Sequence, residues 1–512
     1  MISLAVEYLN GWSLAAADGA AKSRAEWPPH PDRVFMALAA AYFETAGPDE
    51  EAEALRWLER QPAPLVYASA SHPRVAVGGD GPPVSFVPVN DVKVGQLKDT
   101  TSPQKLLDQG LTVLPAHRKR QARSFPVAVP EDPVVHLVWE ETGALPPSLH
   151  AGLASLCRKV THVGHSASLV QMWVDADAPV LGPRRHLWVP DDGLDATLRM
   201  RVPYDGRLSY LAASDPAPHV RHAMTLGKLD RARYLDGLVD RLRPRNSRWQ
   251  GYRRPGPRTS SEVEVRGEFD PRVQVLRLTG NLPATMTLAV VEALRHSMMA
   301  AHPDAPEWAS GLTPDGGPSR APHVSLVPLV NVGHAHGDGR LMGVGLALPR
   351  GVDGRAAATF LQGWLRDELG APRQLLLAHR DWFESTAQLD EREVLPMTLA
   401  PQTWIRPSST WVSVTPIVMD RHAHGRNRWS VLTEAAAKAC EHIGLPRPKA
   451  VELSRAPFAQ GAPRAEEFPP LRRPDGTARL HLHARLEFPE TVAGPMILGA
   501  GRYRGYGLCR PQ

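Results

Sequence analysis

At 512 residues the chain exceeds what one core ordinarily organises, and two to four domains are expected. Its 43% hydrophobic and 22% charged residues are ordinary globular composition, while 50 prolines and 41 glycines favour many short elements over long helices. A formal charge of +5 is too small to demand a polyanionic partner, so the placement of charge has to carry any such argument.

In chain order, a strand is expected over Ile2 to Leu9, followed by the proline-rich approach Trp27-Pro-Pro-His-Pro and a helix from Arg33 to Phe43. Asp32 reads as its N-cap, since a carboxylate there accepts an orphan amide. A second helix covers Glu50 to Arg60. Short strands are expected at 64–70, 84–90 and 134–139, then a helix over 149–159 and a strand near 168–174. This order is α+β and not a repeated parallel βαβ. Arg241 to Arg258 holds seven arginines with Trp249, Tyr252 and no acid. It reads either as a solvated linker or as a basic loop whose aromatics stack on nucleic-acid bases.

Beyond it a strand (272–278), a long helix (284–301), two strands (323–330 and 341–348), a helix (356–369) and a strand (374–377) give β-α-β-β-α-β, the ferredoxin-like plan. A similar order returns with strand 411–418, helix 428–443 and strands 450–454 and 478–488. The expected fold class is therefore α+β, an N-terminal ferredoxin-like (RRM-like) domain followed by a tandem pair of ferredoxin-like units. Cys157, Cys440 and Cys509 are far apart, which excludes a disulfide framework and a cysteine zinc site and fits a reducing cytoplasm. The N-terminus carries Glu7 and no basic n-region, and no stretch nears the roughly 20 apolar residues of a membrane span. A cytoplasmic protein without a membrane partner is expected.

Three segments carry chemistry. In the last long strand Arg479, His481, His483, Arg485 and Glu487 alternate with Leu480, Leu482, Ala484, Leu486 and Phe488. Alternation gives one apolar face and one basic face, either a solvated surface or an open platform for RNA. The turn Gly499-Ala-Gly-Arg-Tyr-Arg-Gly-Tyr-Gly507 combines four glycines with Arg502, Tyr503 and Arg504. Gly499, Gly501, Gly505 and Gly507 let backbone approach a phosphate, the arginines neutralise it, and Tyr503 or Tyr506 can stack on a base. A mononucleotide P-loop is excluded, because no Gly-Lys-Ser/Thr follows.

The third segment carries His323, His334, His336 and Asp338. His334-Ala-His-Gly-Asp338 looks like a truncated metal-binding HxHxDH, with Gly339 where the last histidine belongs. The competing reading is metal-free: a histidine, with its pKa near 6.5, deprotonates a ribose 2′-hydroxyl that attacks the adjacent phosphate. A purely structural loop is the third. His422 and His424 form a further pair, read as RNA contacts or as structure.

Together Trp27 to Arg33, Phe86 to Asp91, Val163 to Ser168, His323 to Arg340, Thr410 to Pro416 and Gly499 to Gly507 resemble a CRISPR family. It is the fused subunit of subtype I-G (formerly I-U) effectors, in which the backbone protein gripping the crRNA 5′ handle is joined to the repeat-specific endoribonuclease. The resemblance implies a handle-binding domain over 1–217, a basic linker or loop over 218–259, and an endoribonuclease domain over 260–512, in units of about 260–400 and 401–512. It implies metal-independent, cofactor-free cleavage of precursor crRNA within the repeat, leaving a 2′,3′-cyclic phosphate and a 5′-hydroxyl. Mature crRNA, other subunits of a type I effector complex and, indirectly, target DNA are the implied partners. His334 or His336 is the first candidate for general base or acid, and His323 the next. The other classes kept open are a non-catalytic crRNA-binding scaffold and a metal-dependent hydrolase centred on His334, His336 and Asp338.

Overall fold

The computed structural model describes the chain apart from residues 18–21, 23, 78, 80, 89–101, 105–119, 141–144, 176–178, 180–183, 214–246, 256–265, 380–382, 393–394, 422 and 424. His422, His424 and most of the basic segment before residue 247 therefore lie outside the described residues. Two compact units form, one from residues 1–191 and 196–255, the other from 192–195 and 256–512. Both are mixed α/β, built on antiparallel sheets.

In the first unit β1 (Ile2–Tyr8), β2 (Leu65–Ser69), β3 (Val134–Trp139) and β4 (Val170–Asp175) lie in the order β2-β3-β1-β4. The sheet continues beyond β2 through β5 (Arg185–Pro190), then β7 (Arg248–Arg253), to β6 (Leu198–Val202) at the edge. Helices α1 (Pro31–Glu44), α2 (Asp49–Glu59) and α3 (Pro147–Lys159) supply Val34, Phe35, Leu38, Leu55, Leu58, Leu153 and Leu156, which share one buried cluster with Leu4, Val6, Val66 and Leu137. Part of the expected linker is thus a strand. Tyr252 is fully buried and fills the core, because β7 alternates Gln250 and Tyr252 inward; it is not free to stack on a base.

Asp32 is not the helix cap. Pro31 opens α1 with no amide to satisfy, and Asp32 lies inside the first turn, fully buried. Its carboxylate receives Arg207 Nε and Nη2 at 2.9 Å each and the Ser247 hydroxyl at 2.7 Å. Arg207 opens helix α4 (Arg207–Ala213), and neither side chain of this pair reaches solvent. Nearby, Arg33 grips Glu26 through two bonds of 2.6 and 2.7 Å, and Arg201 reaches Glu26 and His30 Nδ1 at 2.9 Å each. Burial opposes ionisation of Glu26, but His30, Arg33 and Arg201 outweigh it and hold the carboxyl at about 2. The segment Trp27 to Arg33 is therefore an internal fastening.

In the second unit β8 (Gln274–Pro283), β9 (Ser325–Val330), β10 (Arg340–Ala347), β11 (Leu375–His379) and β12 (Phe383–Leu389) form a sheet ordered β9-β10-β8-β12-β11. Helices α5 (Thr287–Ala301) and α6 (Gly354–Leu365) bury Val290, Val291, Leu294, Phe360 and Trp364 in the same cluster as β9 and β10. A second sheet holds β13 (Ser408–Ser413), β14 (Ala450–Ser454), β15 (His481–Val492) and β16 (Cys509–Pro511), with β15 between β14 and β13, and β16 outside β13. Helix α7 (Arg428–His442) covers it. Tyr506, Leu508 and Ile497 belong to the cluster under α5, so the halves divided near residue 400 share one core.

Asp32→Ala would remove the carboxylate that compensates the buried Arg207 charge, and we expect a loss of about 3–5 kcal/mol. Urea unfolding measures it; a loss below about 1 kcal/mol would show that the pair does not hold α4 to α1.

Candidate RNA-processing site

The turn 499–507 is folded into the second unit instead of hanging from it. Ala500 N–H donates to the Val418 carbonyl at 2.9 Å, Gly507 N–H to the Pro416 carbonyl at 3.0 Å, and Arg504 N–H to the Gly501 carbonyl at 2.8 Å. Gly505 (φ +80°) lies against Thr287 and Val291 of α5, and at Gly507 (φ +77°) a methyl group would collide with the Leu498 carbonyl. Both positions demand glycine, for the left-handed backbone and for the lack of room. Tyr506 is fully buried and donates its hydroxyl to the Pro469 carbonyl at 2.6 Å, so of the two tyrosines it is a core residue.

This seating places the turn on His323. The Tyr503 ring stacks on the His323 imidazole with centroids 3.6 Å apart and planes at 23°. The Ser325 hydroxyl donates to the Arg502 carbonyl at 2.5 Å, fixing the turn to the start of β9. Glu268 gathers the Tyr503 hydroxyl and the Arg502 guanidinium, the latter at 3.1 Å, and Arg504 pairs with Glu292 of α5 at 3.1 Å. Burial, with Glu268 beside it, pushes the Tyr503 phenol up to about 12.

His323 Nδ1–H donates to the Ala321 carbonyl at 3.1 Å, which leaves the lone pair on Nε2. The residue is 8% exposed. Burial holds it below the ordinary imidazole value, with Arg295 and Arg502 acting in the same direction and the Ala321 contact and Glu268 against it. At neutral pH it is an uncharged imidazole, a base in the form that accepts a proton.

His334 and His336 stand elsewhere. The six-residue strand β9 separates them from His323, a span of about 20 Å at 3.3 Å per residue. A base and an acid serving one phosphate must each come within about 3 Å of its oxygens, so His323 cannot pair with either of them on one scissile bond. His334 Nε2–H donates to Asn331 Oδ1 at 2.9 Å, and its Nδ1 accepts the His336 amide at 3.2 Å. Asn331 Nδ2 in turn donates to Asp338 at 2.8 Å, while the Thr398 hydroxyl donates to Asn331 Oδ1 at 3.1 Å. His334 and Asp338 thus meet on Asn331, and among the described residues no group of three or more His, Cys, Asp or Glu is placed to hold a metal ion. The His336 side chain lies toward solvent.

The expected open face of β15 is corrected at two positions. His483 is fully buried: Nε2–H donates to the Pro463 carbonyl at 3.0 Å and Nδ1 accepts the Ser413 hydroxyl at 3.1 Å. His481 is 8% exposed, takes the Leu471 amide on Nε2 and lies 5.1 Å from the Tyr506 ring. The segment that returns between β14 and β15 covers the face that alternation alone leaves open. Arg479 pairs with Asp420 at 3.4 Å, and the exposed Arg485 lies 3.7 Å from Glu487. Glu268, Glu292 and Arg295 escape sequence reasoning, since none stands in a motif; Glu268 and Glu292 reach the turn from more than 200 positions away, and Arg295 donates to the Ser310 carbonyl.

An α+β chain that gathers histidine, tyrosine and arginine on a glycine-rich turn has the groups a polyanion-binding protein needs. The chain belongs to the CRISPR-associated protein GSU0054 family, whose model matches residues 3–225 and 313–511. A solved crystal structure of a CRISPR protein from Archaeoglobus fulgidus is similar at 16% identity over 38% of this chain and 67% of that one, with a TM-score of 0.17, a likeness too slight to carry structural argument. No curated protein matches. Among the described residues no helix is long and apolar enough to cross a membrane.

Burial lowers His481 to about 4 and lowers His323 and His483 as well. The unfolded chain, titrating near 6.5, therefore binds more protons than the fold once pH drops below that value. Stability conferred by these neutral rings is complete above pH 6.5 and is lost as pH falls toward 4. We expect a fall of a few kcal/mol over that window, seen as a declining Tm between pH 6.5 and 5. A flat Tm there contradicts the buried, neutral assignment.

Proposed function

We propose that the chain is an RNA-handling subunit of a type I CRISPR effector whose second unit cuts precursor crRNA within the repeat. The observation that carries the reading is the stack of Tyr503 on His323, which joins a candidate histidine to the glycine-rich turn with Arg502 and Arg504 alongside. His323 Nε2 takes the proton of a ribose 2′-hydroxyl, and the freed oxygen attacks its own phosphorus. The 5′-oxygen departs and takes a proton from water, leaving a 2′,3′-cyclic phosphate and a 5′-hydroxyl. No cofactor enters this scheme.

The finer architecture belongs to the same reading. We assign three ferredoxin-like units, supported by a recurring strand order of second, third, first and closing strand in β2-β3-β1-β4, β9-β10-β8-β12 and β14-β15-β13-β16. The first unit is the crRNA handle-binding part and the second the endoribonuclease, as in the fused subunit of subtype I-G. Precursor and mature crRNA and the other effector subunits are its partners, with target DNA met through the crRNA, in the cytoplasm.

A second reading, a non-catalytic crRNA-binding scaffold, is favoured by the 8% exposure of His323: the Tyr503 ring lies over the imidazole where RNA has to enter. The cleavage reading accordingly requires Tyr503 to swing aside when RNA binds.

Variants of the candidate histidines separate the readings. With repeat RNA under single turnover in EDTA, His323→Ala is expected to lower the rate by about 10²–10⁴ while the RNA still binds. His334→Ala and His336→Ala are expected to cut at rates close to the unaltered chain. Full activity in His323→Ala, or loss in either of the other two, overturns the assignment.

A further inference from the structure

We infer that Arg295 and His323 together form a phosphate-binding site, with Arg295 clamping the non-bridging oxygens of the phosphodiester that is cut. The inference rests on the cleavage reading and goes beyond it by naming a residue outside both stretches that the family model matches.

Both arginines of the glycine-rich turn are paired. Arg502 is matched by Glu268 and Arg504 by Glu292. Arg295 projects from the middle of α5, is half-buried, and among the described residues makes no ion pair; its guanidinium donates to the Ser310 carbonyl. That carbonyl belongs to the residue before Gly311, whose left-handed backbone (φ +66°) passes so close beneath the His323 ring that any side chain at 311 would strike the imidazole. Arg295 is thereby held at the edge of the candidate base. Burial and the neighbouring Arg504 both act against its charge, which an incoming anion would relieve. A guanidinium offers five N–H donors, and one carbonyl leaves most of them for phosphate oxygens.

The chemistry gives that position a use. As the 2′-oxygen bonds to phosphorus and the bond to the 5′-oxygen breaks, negative charge collects on the non-bridging oxygens. The 2′-hydroxyl proton passes to His323 Nε2, and the leaving oxygen takes one from water. A fixed cation in a half-buried site stabilises this charge more than it stabilises the substrate, which is the condition for raising the rate.

Two probes test it on the full chain, with the His323 imidazole followed by nitrogen-15 NMR and identified from the spectrum of His323→Gln. Inorganic phosphate is expected to shift the His323 signal, and so is repeat RNA fully 2′-O-methylated to prevent cutting. Arg295→Gln should lose both responses, while Arg295→Lys, which keeps the charge and can still donate to Ser310, should retain them in part. A wild-type signal unmoved by phosphate, or Arg295→Gln responding as the unaltered chain does, overturns the inference. So does a signal that phosphate moves and the RNA does not, since the site would then bind free anions off the RNA path. With cleavable repeat RNA, Arg295→Gln should cut about 10²–10³ more slowly. A chain that binds both probes through Arg295 yet leaves RNA intact contradicts the cleavage reading alone; one that cuts equally well with Arg295→Gln contradicts the clamp alone.

Discussion

The second unit depends on the close backbone packing of residues 499–507. The turn accepts no Cβ at Gly505 or Gly507, and its amides and carbonyls are tied to Pro416, Val418 and Leu498. From that anchorage Tyr506 and Leu508 enter the core under α5, and β16 closes the sheet beside β13. The same anchorage sets Arg502, Tyr503 and Arg504 over α5 and the start of β9. A turn free in solvent would present these side chains anywhere; this one presents them at His323.

Packing also explains which polar groups stay available. His483 and His481 have partners and are buried, so their imidazoles consolidate the sheet and the return segment around Pro463 and Leu471. His334 is drawn into a loop organised by Asn331, where both polar atoms of that side chain are used. His323 has one nitrogen committed and one lone pair left, in surroundings that keep it uncharged. These differences arise from tertiary neighbours, since all four rings began as histidines in or beside strands.

Much of the framework was legible in the sequence, because alternation and helical periodicity report burial directly. Strands such as Val134–Trp139 and Ala450–Ser454, and helix Arg428–His442, fall where their patterns place them. Asp32, a carboxylate beside a proline-opened helix, has the composition of a cap, and only Arg207, 175 positions away, discloses its role. The strand Arg248–Arg253 was hidden by its arginines, which lie at its two ends while Gln250 and Tyr252 face inward. At the site, the glycine-rich turn and His323 were visible as separate motifs. Their meeting was not, because Glu268, Glu292 and Arg295 carry no local signature and the contact spans about 180 residues from His323 to Tyr503.

The account stands or falls on whether this cluster breaks RNA by internal attack. The most direct measurement is the chemistry of the fragment ends after the unaltered chain meets its own repeat RNA in EDTA. The account predicts cutting at one position, with a 2′,3′-cyclic phosphate on the upstream fragment and a 5′-hydroxyl on the downstream one. Intact RNA that nevertheless remains bound, or fragments ending in a 3′-hydroxyl and a 5′-phosphate, would contradict it.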